Sequence, residues 1–170
     1  MYSTKKCALL SLKYISFGVL IKNWMKDIKT LGIAADHAGF KLKELLIGYI
    51  EEKGIKVTDY GSFSEESADY PDFAHPLANS IKNGENQIGI SICGSGNGIT
   101  MTLNKHQKIR AALCWNTEIT ELAVQHNNAN ICSLPARYIS DLEAIKIVDA
   151  FLSSEFEGGR HQRRIDKIPV

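Results

Sequence analysis

From residue 29 onward the chain alternates short apolar runs with longer amphipathic ones. TLGIAA (30–35), IKVTDY (55–60), IGISIC (88–93), IRAALC (109–114) and NICSLP (130–135) each predict a short strand. Between and after them, KLKELLIGYIEEKG, FAHPLANSIKNG, GITMTLNKHQK, TEITELAVQHNN and LEAIKIVDAFLSS place apolar residues at helical spacing, and several end in the Gly or Asn that stops helices. Strands apolar on both faces and separated by helices imply a parallel sheet covered on each side. The expected fold is therefore α/β: a three-layer α/β/α sandwich around a five-stranded parallel Rossmann-like sheet. Ligands of such sheets bind at the carboxyl ends of the strands.

The segment before this pattern behaves differently. MYSTKKCALLSLKYISFGVLIKNW has two lysines and then an apolar stretch, but Lys13 and Lys22 interrupt it and no small-x-small cleavage site follows. Its apolar run also falls well short of the ~20 residues a membrane span needs. Met25 opens a natural start, so residues 1–24 are expected to be an extension that the functional chain does without, and residues 25–170 a single domain.

Composition narrows the partner. The formal net charge of +1 over 170 residues offers none of the broad basic surface that binds nucleic acid by displacing counterions. A small molecule is the expected ligand, with no nucleic acid and no membrane. The four cysteines, Cys7, Cys93, Cys114 and Cys132, form no CxxC pair and read as reduced thiols of a cytoplasmic protein. Cys114 and Cys132 read as buried packing.

The third predicted strand ends in CGSGNG, residues 93–98. Glycines at 94, 96 and 98 allow backbone N–H groups to face one concavity, and the following helix adds its positive end, so the loop is suited to hold an anion or an oxyanion formed during reaction. It is not a dinucleotide fingerprint, which requires GxGxxG after the first strand, nor a GxxxxGK[ST] phosphate loop. A cysteine phosphatase would need an arginine closing the loop, and none follows Cys93. What remains is a thiol beside an N–H cradle, an environment that favours the thiolate. Such a thiol serves as a nucleophile with His126-Asn127 as partner, as a base for a carbon acid, or simply as packing.

Other candidates surround this loop in the pattern. Asp36-His37 closes the first strand and so shares an edge with Cys93, although either residue also suits a helix cap. Asp69-Tyr70-Pro71-Asp72 reads as a helix start, with Tyr70 a possible pocket wall. Arg160 and Arg164 are four apart beside His161, a spacing suited to gripping a dianion as well as to a solvated last turn. The Asp, His and Cys set lacks zinc-ligand spacing, and no metal is expected.

Taken in order, AADHAGF, DYPDFA, ICGSGNGI, NKHQKIRAAL, QHNNAN and EGGRHQRR cover roughly residues 28–168 and closely resemble the ribose-5-phosphate isomerase B family, which includes galactose-6-phosphate and allose-6-phosphate isomerases. The resemblance implies an aldose-ketose isomerase without a metal or organic cofactor, acting on a sugar phosphate. It assigns the base that moves a proton between C2 and C1 to Cys93; no glutamate, the alternative base among relatives, occurs from 94 to 104. Loop amides from Gly94 through Gly96 and Asn97 to Gly98 would hold the enediolate oxygen. His126 would open the furanose ring with help from Ser95, where many members carry threonine. Asp36 and Asn127 would contact sugar hydroxyls, and His37, Arg137, Arg160, His161 and Arg164 would surround the substrate or its phosphate. Members of the family form dimers or tetramers with sites shared between subunits, so a homodimer or homotetramer is expected. Two other readings stay open: an isomerase of a six-carbon sugar phosphate, and a sugar-phosphate-binding module without turnover. A nucleophilic cysteine hydrolase is weaker still.

Overall fold

A computed structural model describes residues 27–169; the expectation for residues 1–24 lies outside them. Five strands, β1 (Thr30–Ala35), β2 (Lys56–Asp59), β3 (Ile88–Cys93), β4 (Ala111–Leu113) and β5 (Ile131–Pro135), form one wholly parallel sheet in the order β2-β1-β3-β5-β4. A short 3-10 turn (His37–Gly39) follows β1. The helices are α1 (Phe40–Glu52), α2 (Tyr70–Lys82), α3 (Asn97–Leu103), α4 (Thr117–Asn127), α5 (Asp141–Ser153) and α6 (Arg160–Ile165). Among the described residues no helix is long and apolar enough to cross a membrane.

The sheet has two unlike faces. Leu31, Ile33, Ile90, Ile92, Cys132 and Leu134 project into a core shared with α1, α4 and α5, through residues such as Leu46, Val124 and Val148. The alternate positions are smaller: Gly32, Ala34, Gly89, Ser91 and Cys93 face α2 and α3, with Leu77, Ile99 and Leu103 packed there. A Cβ on Gly32 would lie 2.6 Å from Leu77 Cδ1, so the small residues let α2 sit close to the sheet. This period-2 alternation carries the Cys93 side chain to the α2–α3 face. Ser91 and Ser133, buried on the central strands, satisfy each other through an Oγ–Oγ hydrogen bond of 2.7 Å. Cys114 and Cys132 are buried, as the sequence predicts.

The expected architecture is present, with local shifts that have physical causes. IKVTDY and IRAALC shorten to four and three residues of strand because both lie at sheet edges, with one neighbour each. The helix entry read at Asp69-Tyr70-Pro71-Asp72 is present: Asp69 precedes the helix, which starts at Tyr70 with Pro71 in the first turn, where its missing N–H costs no intrahelical bond. The helix predicted over 98–108 stops at Leu103. There the Asn104 side chain accepts from Ala111 N–H at 2.9 Å and donates to the Ala111 carbonyl at 2.8 Å, mimicking a strand partner and turning the chain into β4.

One buried cation organises the carboxyl end of β1. Lys43 on α1 has no exposed side-chain surface; its ammonium bonds to Glu44 at 2.7 Å and to Asp59, and lies 5.5 and 5.7 Å from the ring centroids of Phe40 and Phe63. The other Asp59 oxygen accepts the Gly61 N–H at 2.8 Å. Gly61 and Ser62 in turn exchange backbone hydrogen bonds with Ala35, the residue before Asp36. A buried ammonium that loses its carboxylate is expensive, whereas the carboxylates left when the cation is replaced are partly exposed and can be hydrated, with side chains 26% and 54% accessible. Asp59→Ala should therefore lower unfolding stability by about 3 kcal/mol, and Lys43→Met by less than half of that, in urea denaturation.

Candidate functional site

At the carboxyl edge of the sheet, where the chain order jumps from β1 to β3, the loops after β1, β3 and β5 enclose a cleft of about 250 Å³. Asp36, His37, Tyr70, Cys93, Gly94, Ser95, Gly98 and Arg137 line it, together with Ala38 and Tyr138. Backbone bonds lock the three loops together. Asp36 N–H donates to Ile92 O, Ala136 N–H to Cys93 O and Arg137 N–H to Gly94 O, all at 3.0–3.1 Å.

Each wall residue has a local cause. Asp36 is 7% exposed, and its carboxylate caps the 3-10 turn by accepting Gly39 N–H at 3.1 Å, so it is both a cap and a pocket residue. His37 packs its Nδ1 3.3 Å from the backbone of Ala68. Cys93 is 4% exposed, and its Sγ accepts the Gly96 N–H at 3.1 Å. Ser95 and Asn97 are exposed on the loop, where Asn97 N–H donates to Ser95 Oγ at 3.4 Å. The Arg137 guanidinium lies over Gly94, 3.3 Å from where a Cβ would stand.

Two glycines of the loop are required for different reasons. Gly96 precedes α3 in the left-handed region (φ 74°), and a Cβ there would meet Leu113 Cδ1 at 2.3 Å and the Leu134–Pro135 backbone at 3.3 Å. Gly98 has ordinary backbone angles but lies under Tyr70, whose ring would be 2.6–2.9 Å from an added Cβ. Tyr70 at the start of α2 is thus a wall of the cleft, a point the sequence left open.

The remaining candidates lie elsewhere on the chain. Because all five strands are parallel, α4 runs back from the carboxyl edge, and its last residues reach the amino edge. Arg110, immediately before β4, donates from Nε to the carbonyls of Asn127 and Asn128 at 3.1 and 2.8 Å and fixes that end. His126 is therefore at the opposite edge of the sheet from Cys93. It stacks on His161 of α6, with ring centroids 4.2 Å apart and planes at 6°. Asn127, Arg160 and Arg164 are exposed in the same region, while His161 is buried. Within one chain the candidates form two groups, and a His126 partner for Cys93 from the same chain is excluded by topology.

Sequence reasoning missed Glu157 in the second group. Its Oε2 is 3.9 Å from His126 Nε2 and 3.6 Å from His161 Nε2. Its position four before His161 was the available signal. The three residues offer metal-ligand atoms within 4.8 Å of one another. Arg160 Nε already donates to one of these atoms, His161 Nε2, at 3.3 Å. Burial, then the neighbouring His126 and Arg160 charges, push the His161 imidazole below its ordinary value. A larger cavity of about 490 Å³ lies between the 104–110 loop and the C-terminal residues, lined by Lys105, Lys108, Arg110 and Asp166 among others.

The fold and the thiol–glycine cleft at the β1–β3 switch point define an α/β class of small-molecule site. The Ribose/Galactose Isomerase family profile matches residues 31–168, and the chain belongs to that family. It is similar to the crystal structure of a ribose 5-phosphate isomerase from Thermotoga maritima (49% identity, TM-score 0.82, covering 84% of this chain and 98% of that one). It also resembles ribose-5-phosphate isomerase B from Mycoplasma genitalium with bound ribulose-5-phosphate (45% identity, TM-score 0.78, 82% and 93% covered). The D-erythrulose-4-phosphate isomerase of Pectobacterium atrosepticum is 41% identical over 140 residues, 82% of this chain and 92% of that protein.

The two loop glycines separate stability from pocket shape. Gly96→Ala should cost about 2 kcal/mol in denaturation, from left-handed strain plus the clash with Leu113. Gly98→Ala should leave stability within about 1 kcal/mol, because the exposed Tyr70 ring can swing away, while weakening sugar-phosphate binding in calorimetric titration.

Proposed function

We propose that this protein is an aldose-ketose isomerase that interconverts ribose 5-phosphate and ribulose 5-phosphate, with Cys93 as the base. The observation that carries the reading is the Cys93 thiol at the wall of the switch-point cleft, held by the Gly96 N–H and flanked by Asp36 and Arg137. The family membership and the ribulose-5-phosphate bound to a relative support the substrate class.

In this mechanism the Cys93 thiolate takes the C2 proton of the open aldose. The C–H electron pair becomes the C1–C2 double bond, and O1 carries the negative charge. Amides of the 94–98 loop stabilise that oxyanion, a task for preorganised donors beside a helix start. The O2 proton passes to O1, the carbonyl forms at C2, and the Cys93 thiol returns its proton to C1. This exchange needs only a base and oxyanion donors. Asp36 and Asn127 fix sugar hydroxyls. Ring opening precedes it: the His126 imidazolium gives a proton to the ring oxygen, the bond from that oxygen to C1 breaks, and the anomeric hydroxyl loses its proton to solvent. Ser95 assists at this step.

The phosphate falls to Arg160, His161 and Arg164, with His37 and Arg137 on the Cys93 side. Since the two groups of residues occupy opposite sheet edges, the reading joins them across subunits: Cys93 of one copy with His126, Asn127, Arg160 and Arg164 of another, in a cytoplasmic homodimer or homotetramer. Binding energy from the remote phosphate then positions the reacting carbons.

The deciding assay is ribulose 5-phosphate formation from ribose 5-phosphate in EDTA, for wild type and Cys93→Ala. Turnover by the wild type and its loss in the folded variant is the expected result. An inactive wild type that turns over allose 6-phosphate or galactose 6-phosphate would shift the substrate, and inactivity on all three would leave a binding module. Subunit sharing has its own test. Cys93→Ala and His126→Ala, each inactive alone, should regain about a quarter of wild-type activity after unfolding and refolding together, since half the dimers are mixed and each has one intact site. A mixture that stays inactive would overturn the sharing and remove His126 from the Cys93 chemistry.

A further inference from the structure

The larger cavity, between the 104–110 loop and the C-terminal residues, takes no part in the proposed chemistry. Its volume is about 490 Å³, against about 250 Å³ for the Cys93 cleft. Lys105, Lys108 and Arg110 line it, and the one carboxylate in its wall, Asp166, already accepts from Gln162 Nε2 at 2.6 Å. Among the described residues none of the three cations forms an ion pair. A recess lined by charge of one sign concentrates ions of the other.

Two of these cations are kept at a cost. Arg110 is half-buried, and burial acts against the charge of its guanidinium, which a bound anion would offset. Its Nε donates to the Asn127 and Asn128 carbonyls at 3.1 and 2.8 Å, which fixes the plane of the group. The Nη groups make no hydrogen bond among the described residues and are free for a ligand. Lys108 has φ 70°, a left-handed backbone that glycine adopts freely and lysine does not. Asn130 secures this turn: its Nδ2 donates to the Lys108 carbonyl at 2.8 Å and its Oδ1 accepts the Arg110 N–H at 2.8 Å. The turn therefore carries a cationic side chain at the cavity where glycine would be less strained.

The cavity is separate from the residues assigned to the substrate phosphate. Gln162, Ile165 and Asp166 share the face of α6 that lines it, and helical spacing puts Arg160 and Arg164 on the opposite face. Ile109, Ile165, Ile168 and Pro169 add an apolar side that a bare inorganic anion would leave uncovered. We infer that this cavity is a second anion site, one that takes an organic phosphate larger than a pentose phosphate. Lys105, Lys108 and the Arg110 Nη groups hold the phosphate, and the isoleucines receive the organic body. Its volume suits a small-molecule ligand. The site stands whether or not the protein is an isomerase.

Titration of the wild-type protein with adenosine monophosphate, followed by backbone amide NMR, tests this. Saturable shifts at residues 105–110 and 165–168 are expected, with the 94–98 loop unmoved. Inorganic phosphate should shift the same amides with about tenfold weaker affinity, since it buries no apolar surface. Lys108→Gly removes one cation and relieves the left-handed backbone. Its Tm should not fall, while its dissociation constant for adenosine monophosphate rises about tenfold. Arg110→Met should weaken binding at least as much. Absence of saturable shifts at 105–110 up to about 10 mM nucleotide overturns the inference. Shifts confined to the 94–98 loop do the same, as does a Lys108→Gly variant that binds like the wild type. Equal affinity for inorganic phosphate overturns the organic body.

Discussion

The direction of the strands governs everything functional in this molecule. In a wholly parallel sheet each crossover helix must run back across the full sheet, so the two ends of a helix serve opposite edges. The start of α3 therefore stands beside Cys93, and the end of α4 stands with His126 at the far edge. No side-chain rearrangement can join those residues within one copy. The proposed chemistry consequently depends on association, and the two groups of candidate residues lie at opposite edges of each subunit's sheet.

Within the first group, precision comes from small residues and one buried charge. Gly32, Gly89 and Ser91 allow α2 to approach the sheet, which brings Tyr70 over Gly98 and sets the wall of the cleft. Lys43 and Asp59 order the turn that ties Gly61 and Ser62 to Ala35, one residue from Asp36. A fully buried ammonium is a costly way to fix a turn, and it is tolerated because carboxylates on two sides and two aromatic rings compensate it. The second group is built differently: stacked imidazoles with an arginine on one and a carboxylate beside the Nε2 atoms of both. Four side chains from α4, α6 and the turn that joins α5 to α6 meet there.

The pattern of apolar runs was enough for the architecture because strand alternation and helical spacing are local properties, set by which residues avoid water. All five strands and the five expected helices are present, and β1 and β3 keep their predicted ends. Boundaries moved where a partner decides them: at the edge strands, which lose pairing on one side, and at Leu103, where Asn104 reaches Ala111. The Asp36, Cys93 and glycine-loop cluster was legible for the same reason, since strand ends share an edge whatever the details of packing.

What the chain alone could not express is proximity between elements distant in sequence. Lys43 is one lysine of the KLKELLIGYIEEKG run, and only the approach of β2 and of Phe63 makes it a buried cation. Glu157 reads as one acidic residue before a glycine pair, and only the docking of α6 on α4 places it beside two imidazoles. His126 and Cys93 read as companions in one motif set, yet the strand directions hold them apart. Residue type and periodicity determine which chemistry is present and which sheet edge carries the thiol. Tertiary packing decides which groups meet, because hydrogen bonding and charge depend on a few ångströms of distance that no local pattern encodes.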